Sequence, residues 1–166
     1  ISFDSILVLF PEDYIGLLKF YLEEINIKIL DLSNRINFNN LRTHEKIYEI
    51  IKLQLKENIK EKELVRKTFY TLLMPQYAFI TLNYIYKVVD NIWYLSNDKS
   101  TDFNYYTKRA ILAKIYISTI IYWLSDNSKN NKKTNIYLLK KLKNTSKISN
   151  IKNLFINLKK FSNIFA

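Results

Sequence analysis

The residue types that carry catalysis and metal binding are scarce in this chain of 166 residues. The absence of cysteine excludes disulfide scaffolds, thiolate zinc sites and cysteine nucleophiles. The single histidine, His44, stands beside Glu45 in a polar stretch, which is typical of a surface side chain. Glu23 and Glu24 are adjacent on a predicted helix, so their side chains point about 100° apart and do not share a substrate. We therefore expect a protein that is not an enzyme, with no catalytic residue, no metal site and no cofactor.

The scarcity of glycine and proline indicates the fold class. One glycine and two prolines occur in the whole chain. Tight hairpins and phosphate-binding loops both need glycine at positive φ, so neither is expected. With 48% apolar residues, a chain of this length can bury one core of ordinary size. The sequence predicts a single-cored, all-α protein.

Apolar residues recur at helical spacing along the first half of the chain. The first such helix covers about residues 11–31, and Pro11 stands where a first helical turn accepts it. A second follows from Ile47 to Leu55. A third helix with an apolar stripe follows, and Pro75 ends this helix. That stripe consists of Leu64, Val65, Thr68, Phe69, Leu72 and Leu73.

The next two predicted helices, Tyr77–Leu95 and Tyr105–Leu124, carry apolar residues on nearly every face. A helix that is apolar all round must be covered all round. These helices could be simply the core, but they could also line an apolar cavity or pack against a second copy of the chain, and we expect both of the latter. Asn97, between them, can take the left-handed conformation that closes a helix.

Positive charge is concentrated at the end of the chain. Residues 127–166 contain ten lysines and no acid, whereas the rest of the chain is close to neutral. This asymmetry is typical of a protein that meets nucleic acid or an anionic membrane through one end. We divide the chain into a helical body at 1–126, a basic linker with a short helix at 127–148, and a terminal helix at 149–166.

The terminal helix is predicted to be amphipathic, with one apolar stripe and a lysine-rich, acid-free surround. Such a helix suits an anionic membrane surface, although the stripe could instead dock on the protein's own core. The candidate membrane-binding residues are Ile151, Lys152, Leu154, Phe155, Leu158, Lys159, Lys160, Phe161 and Phe165. The longest run of low charge, Ala110 to Leu124, is interrupted by Lys114 and is too short for a bilayer span, so it is predicted to be a buried helix.

A short run of residues resembles a known signature. Asp98 to Arg109 reads Asp-Lys-Ser-Thr-Asp-Phe-Asn-Tyr-Tyr-Thr-Lys-Arg and follows Val89-Asp90-Asn91-Ile92-Trp93. This run closely resembles the signature of the Coq-nine family, the lipid-binding accessory proteins of ubiquinone biosynthesis. The family's tryptophan is replaced by Tyr105 and its usual glycine by Asn97. With the flanking helices, the resemblance extends over about residues 60–126.

The resemblance implies a homodimer with the TetR-like helical fold, in which residues 1–10 would be the remnant of a truncated helix-turn-helix. Because Ile1 to Phe10 offers no basic side chain, we expect no binding of nucleic acid through it. The resemblance also implies an apolar cavity that holds an isoprenoid quinone or another lipid such as a phospholipid. It further implies a surface that meets the demethoxyubiquinone hydroxylase, and that surface falls on Ile92, Asp102, Tyr105 and Tyr106.

Lipid binding also agrees with the two apolar helices, because burying an isoprenoid chain contributes about 0.8 kcal/mol per methylene. The candidate lipid-binding residues are Leu72, Tyr77, Ile80, Tyr84, Val88, Ile111, Ile115, Tyr116 and Thr119. The sequence thus predicts a carrier that takes up a quinone intermediate at the membrane and presents it to the hydroxylase. A TetR-like, ligand-responsive transcriptional regulator is the alternative.

The location of the protein in the cell follows from the predicted contact of the terminal helix with a membrane. No methionine precedes Ile1, so we expect an internal fragment of a longer chain. A peripheral membrane protein is predicted, on the cytoplasmic face of the inner membrane in a bacterium or on the matrix side in a mitochondrion.

Overall fold

The structure is a computed structural model that describes residues 13–34, 38, 40–97 and 103–146. Within these ranges the chain forms α-helices and three short 3₁₀ turns, and no strand, which confirms the predicted all-α class. The α-helices are α1 (Asp13–Asn34), α2 (Thr43–Glu57), α3 (Lys62–Leu72), α4 (Ala78–Leu95), α5 (Phe103–Ser125) and α6 (Lys132–Ser146).

The main core lies where α2, α4, α5 and α6 meet. Each helix contributes an apolar stripe that is almost completely buried, and burial of such side chains is the main favourable term in folding. The largest of them is the indole of Trp123 on α5, which is fully buried. The core residues include Ile50, Ile51, Leu55, Val88, Val89, Ile92, Leu112, Trp123 and Leu138.

Two helix ends follow the sequence signals closely. Helix α3 ends at Leu72, and Pro75 begins a 3₁₀ turn that leads directly into α4. After α4, Asn97 has φ 62°, so the predicted left-handed stop is confirmed. Its backbone N–H donates to the Tyr94 carbonyl at 2.9 Å.

The stretch at 127–148, predicted as a basic linker with a short helix, holds the 15-residue helix α6. Its lysines stand on the outer face, while Leu138 and Leu142 are buried in the main core. Asp126 stabilises the N-terminus of α6. Its carboxylate accepts hydrogen bonds from the Thr134 amide at 2.9 Å and the Thr134 hydroxyl at 2.6 Å. It also accepts one from the Ser128 amide at 2.8 Å. The carboxylate thus satisfies amides that a helix start leaves unpaired.

Burial acts to raise the pKa of Asp126, but the hydrogen bonds from Thr134 and Ser128 outweigh it and hold this pKa far below its ordinary value of 3.8. A carboxylate with a lowered folded-state pKa stabilises the protein above its unfolded pKa and loses that effect as the pH falls. Asp126 therefore contributes its full stabilisation at neutral pH.

We predict that Asp126→Asn lowers the free energy of unfolding at pH 7 by about 1 kcal/mol, the usual cost of losing a helix cap. The difference from wild type is expected to shrink as the pH falls below about 4, where the unfolded carboxyl is protonated. Urea unfolding followed by circular dichroism at several pH values measures both effects. Glu24→Gln, at an exposed site on α1, is the matched control and should show neither. A pH-independent difference would contradict the role of the charge.

Candidate functional site

An apolar cavity of about 190 Å³ lies among α1, α2, α3, α4 and α5. It is partly open to solvent, and Leu73, which is 61% exposed, also belongs to its wall and marks its mouth. Most of the wall is aliphatic or aromatic. The apolar lining residues include Leu22, Ile25, Leu55, Val65, Phe69, Leu72, Ile85, Ile117, Ile120 and Trp123.

Three of the polar side chains in this wall form one buried group. The Gln54 amide nitrogen donates a hydrogen bond to the Tyr116 hydroxyl at 2.6 Å. The hydroxyls of Tyr84 and Tyr116 also interact with each other. Burial raises the pKa of Tyr116 to about 12 and that of Tyr84 well above 10.0. Both phenols therefore remain protonated and uncharged at neutral pH, as an apolar cavity requires.

Of the nine predicted lipid-binding residues, Leu72, Tyr84 and Tyr116 line the cavity. Ile80 packs against the neighbouring cluster of Leu18, Leu22 and Leu72, so it supports the wall from behind. The other five lie elsewhere.

Helix phase explains most of the difference on α4 and α5. The cavity stripe of α5 passes through Tyr116, Ile120 and Trp123, at offsets of 0, 4 and 7 residues. Ile115 and Thr119 lie on the adjacent stripe, which is buried in the main core outside the cavity wall. The Thr119 hydroxyl is already satisfied there, because it donates to the Ile115 carbonyl at 2.7 Å.

The remaining three predicted lipid-binding residues are also outside the wall. Val88 is a buried member of the main core, and Ile111 is half-buried against that core. Tyr77 lies in the 3₁₀ turn before α4. Both apolar helices do reach the cavity, but each does so with one stripe only.

The contributions of α1, α2 and α3 to the wall were not predicted from the sequence. From α1 come Tyr21, Leu22 and Ile25, and from α2 come Gln54 and Leu55. A signal for α3 was available, since five of the six residues in its apolar stripe line the cavity. Those five are Val65, Thr68, Phe69, Leu72 and Leu73.

A second feature, the signature cluster, consists of Tyr86 and Asp90 on α4 and Tyr105 and Arg109 on α5. The Arg109 guanidinium pairs with the Asp90 carboxylate at 2.6 Å and lies over the Tyr105 ring, 3.2 Å from its centroid. The Tyr105 hydroxyl is 3.0 Å from that of Tyr86 and donates to Asp90 at 3.2 Å. Several effects raise the pKa of Tyr105 to about 12. The largest is the hydrogen bond with Tyr86, the next is desolvation, and the interaction with the Asp90 carboxylate adds to them. The cluster joins the two helices that flank the signature.

The structure separates the predicted partner-binding residues by exposure. Tyr106 is 70% exposed and packs edge-on against the half-buried ring of Tyr105, so these two form a surface. Ile92 is 1% exposed in the main core, because it is on the inner face of α4. It supports the helix from inside and offers no contact surface. Asp102 lies outside the described residues, as do the proposed helix-turn-helix remnant at 1–10 and the membrane-binding residues at 149–166.

The same part of the chain is similar to known proteins. Residues 79–149, which cover α4, the signature, α5 and α6, match the COQ9 family model. The predicted resemblance to the COQ9 family is confirmed. The match accounts for less than half of the chain, and it includes the signature cluster and the α4 and α5 walls of the cavity.

Several relatives carry the same family name. A mitochondrial ubiquinone biosynthesis protein COQ9 from Bos taurus is 40% identical over 62 residues, which are 37% of this chain and 19% of the bovine protein. The Rattus norvegicus protein of that name is 33% identical over 87 residues, or 52% of this chain and 28% of that protein. A probable COQ9 from Dictyostelium discoideum is 54% identical over 41 residues, 25% of this chain and 13% of that protein. The matched regions thus span less than a third of these relatives.

A solved structure shows the fold over a larger part of the chain. A TetR transcriptional regulator from Nitrosomonas europaea superimposes with a TM-score of 0.69, covering 86% of this chain and 78% of the regulator at 18% identity. The TetR-like helical bundle predicted from the sequence is therefore confirmed, and at this identity the likeness concerns the fold alone. Across the described ranges, every helix is too short or too polar to traverse a lipid bilayer.

Proposed function

We propose that this chain is a non-enzymatic, lipid-binding accessory protein of ubiquinone biosynthesis. On this proposal it takes up an isoprenoid quinone intermediate and presents it to the demethoxyubiquinone hydroxylase. The observation that carries the proposal is an apolar cavity walled partly by α4 and α5, within the segment similar to ubiquinone biosynthesis proteins named COQ9. The transcription-regulator alternative is not favoured, because the likeness to a regulator concerns the fold alone.

The size of the cavity limits how much of a lipid it can hold. An engineered apolar cavity of about 150 Å³ binds benzene. A cavity of about 190 Å³ therefore accommodates one ring or about one isoprene unit. The remaining chain would leave past Leu73 onto a neighbouring exposed apolar surface formed by Tyr70, Leu73 and Met74. The sequence led us to expect a cavity that holds an isoprenoid quinone, whereas this cavity has room for only part of one.

The proposed hydroxylase surface centres on Tyr106. Tyrosine is one of the residue types most enriched among the energetic hot spots of protein interfaces. Tyr106 is held by the Tyr105 ring, and Tyr105 is fixed in turn by Arg109 and Asp90. An anchor held in place before binding costs less conformational entropy when a partner docks.

We also propose that the chain forms a homodimer. Ile121 on α5 and Ile136 on α6 are each more than half exposed. Beside them, the rings of Tyr122 and Tyr137 stack with their centroids 4.5 Å apart. Together these side chains form an apolar surface shared by the last two described helices, which a second copy would cover.

The proposed location is the periphery of a mitochondrial inner membrane, on the matrix side. The similar proteins are mitochondrial. The basic, amphipathic character of residues 149–166 supports contact with an anionic lipid surface, where each lysine contributes about 1 kcal/mol.

Filling the cavity should weaken lipid uptake. We predict that Val65→Phe, which adds ring atoms to the cavity wall, lowers retention of a polyprenyl quinone at least about tenfold. A tenfold loss corresponds to about 1.4 kcal/mol, the contribution of about two buried methylenes. Native mass spectrometry after incubation with quinone-containing vesicles measures retention. The control is Leu64→Phe, one position earlier and outside the wall. Equal retention by folded Val65→Phe would refute binding in this cavity.

Truncating the exposed aromatic should weaken docking. We predict that Tyr106→Ala lowers affinity for the demethoxyubiquinone hydroxylase at least about tenfold, as expected for an interface hot spot. Surface plasmon resonance with immobilised hydroxylase measures the affinity. The control is Phe79→Ala, which removes a still more exposed aromatic side chain. Phe79 is at the start of α4, whereas the signature follows the end of this helix, so the affinity should stay unchanged. Equal losses in both variants would show that the contact is unspecific.

Removing the terminal segment should release the protein from membranes. We predict that the full chain floats with vesicles containing anionic lipid and that deletion of 149–166 prevents this. Replacing Lys152, Lys159 and Lys160 with glutamine should reduce flotation, and raising the salt concentration should do the same to wild type. Flotation of the truncated chain at the wild-type level would count against the segment.

A further inference from the structure

The corner between α3 and α4 exposes a group of large apolar side chains, which we call the apolar corner. Its members are between 47% and 83% exposed, and Phe79 is the most exposed large apolar residue of the described ranges. Phe79 and Leu82 stand one turn apart on the same face of α4. Exposed apolar groups of this size mark surfaces that bind a protein or a membrane. The apolar corner consists of Tyr70, Leu73, Met74, Phe79 and Leu82.

The apolar corner is held in a fixed shape by hydrogen bonds. The Thr81 hydroxyl donates to the Leu72 carbonyl at 2.7 Å, which ties the first turn of α4 to the end of α3. Between them, the Tyr77 amide donates to the Met74 carbonyl at 2.9 Å. Because Phe79 is 83% exposed, its ring projects from this framework. A partner protein would need a pocket that receives the ring, whereas the fluid interfacial region of a bilayer accepts a projecting apolar side chain of any shape.

The charges around the apolar corner favour a bilayer. The run from Thr68 to Tyr86 contains no aspartate, glutamate, lysine or arginine. Two exposed lysines, Lys67 and Lys87, bound this run, and Lys87 also pairs with Glu23 at 3.0 Å. An uncharged apolar surface with tyrosines and with lysines at its edge is typical of an element that lies at a membrane interface. The apolar side chains would meet the hydrocarbon, and the lysines would meet the phosphates of the headgroups.

The apolar corner is continuous with the cavity. Leu73 belongs to both, because it lies in the cavity wall and is itself 61% exposed at the mouth. Insertion of the corner would therefore bring the mouth of the cavity to the hydrocarbon of the bilayer. A lipid chain could then enter the cavity without crossing water, which avoids the cost of exposing its methylenes.

We propose that the apolar corner inserts into the interfacial region of a lipid bilayer and turns the mouth of the cavity toward the membrane. The opposite end of α4, at Tyr94, would point away from the bilayer, about 22 Å from Phe79 along the helix. The inference rests on the proposed function in one respect, namely that the chain meets a membrane through residues 149–166. It adds a second contact, and this contact sets the orientation of the protein on the membrane.

A fluorescent probe on the apolar corner tests insertion. The chain contains no cysteine, so Phe79→Cys in the full chain can be labelled at one site with an environment-sensitive fluorophore. We expect the emission to shift to the blue when vesicles of phosphatidylcholine and phosphatidylglycerol are added. Nitroxide groups on the acyl chains should then quench it. Tyr94→Cys is the matched control, because it labels a similarly exposed aromatic position at the other end of the same helix, and it should show neither effect.

Neutral substitutions test how much the apolar corner contributes to binding. We expect the double variant Phe79→Ser and Leu82→Ser to bind the same vesicles at least about tenfold more weakly than wild type, because two apolar side chains no longer leave water. The loss should persist at raised salt concentration, since it does not arise from charge. Tyr94→Ser should bind as wild type does. Both positions of the double variant are exposed, and circular dichroism checks that the variants are folded.

Several results would overturn the inference. One is a probe at position 79 that stays in water while the chain floats with vesicles, and another is quenching of equal strength at positions 79 and 94. A probe that is shielded before vesicles are added would show that a protein surface covers the apolar corner. Failure of the full chain to bind vesicles would also overturn it.

The quinone retention measured in the Val65→Phe experiment separates this inference from the proposed function. Retention of quinone by wild type, with the probe at position 79 in water, would remove the inference and leave the lipid-binding function standing. Insertion of the probe without quinone retention would do the reverse.

Discussion

The structure depends on the need to cover most of the apolar surface of α5. This helix carries apolar residues all round, and exposing them would cost about 25 cal/mol per Å² of apolar surface. Helices α2, α4 and α6 pack on it to form the main core, with Trp123 fully buried at the centre. Helices α1 and α3 cover the side of Tyr116 and Ile120, where the packing leaves a cavity, whereas the side of Ile121 stays exposed. The candidate site is thus a consequence of how one apolar helix is enclosed.

The two candidate sites share the same pair of helices. Asp90 and Arg109 tie α4 to α5 near the signature, while Tyr84 and Tyr116 meet further along the same pair, in the wall of the cavity. A change in the spacing of α4 and α5 would therefore alter the cavity and the Tyr105–Tyr106 surface together. On the proposed function, this is a physical route by which a docked partner could loosen the ligand, because both sites use one helix pair.

The sequence predicted the features that depend on local pattern. The all-α class followed from scarce glycine, the bounds of α4 and α5 from their apolar runs, and the stop at Asn97 from its tolerance of positive φ. Which stripe of each helix faces the cavity depends on packing between distant segments, so Thr119 and Ile115 could not be told from Tyr116 in advance. Ile92 illustrates the same limit, since its inward position follows from the phase of α4 against the core. The contribution of α6 to the core was not predicted, because its two buried leucines, Leu138 and Leu142, are outnumbered by lysines in this helix.

The modest size of the cavity bears on how such a carrier would work. About six buried carbons contribute on the order of 5 kcal/mol, before the cost of ordering the ligand is subtracted. A long prenyl chain taken wholly into water would lose far more than this, since every exposed methylene costs about 0.8 kcal/mol. A protein with this cavity would therefore hold one end of the lipid while the rest of the lipid stays in the bilayer or against an apolar surface. Weak binding of this kind favours rapid exchange, which is the property required of a protein that presents a substrate.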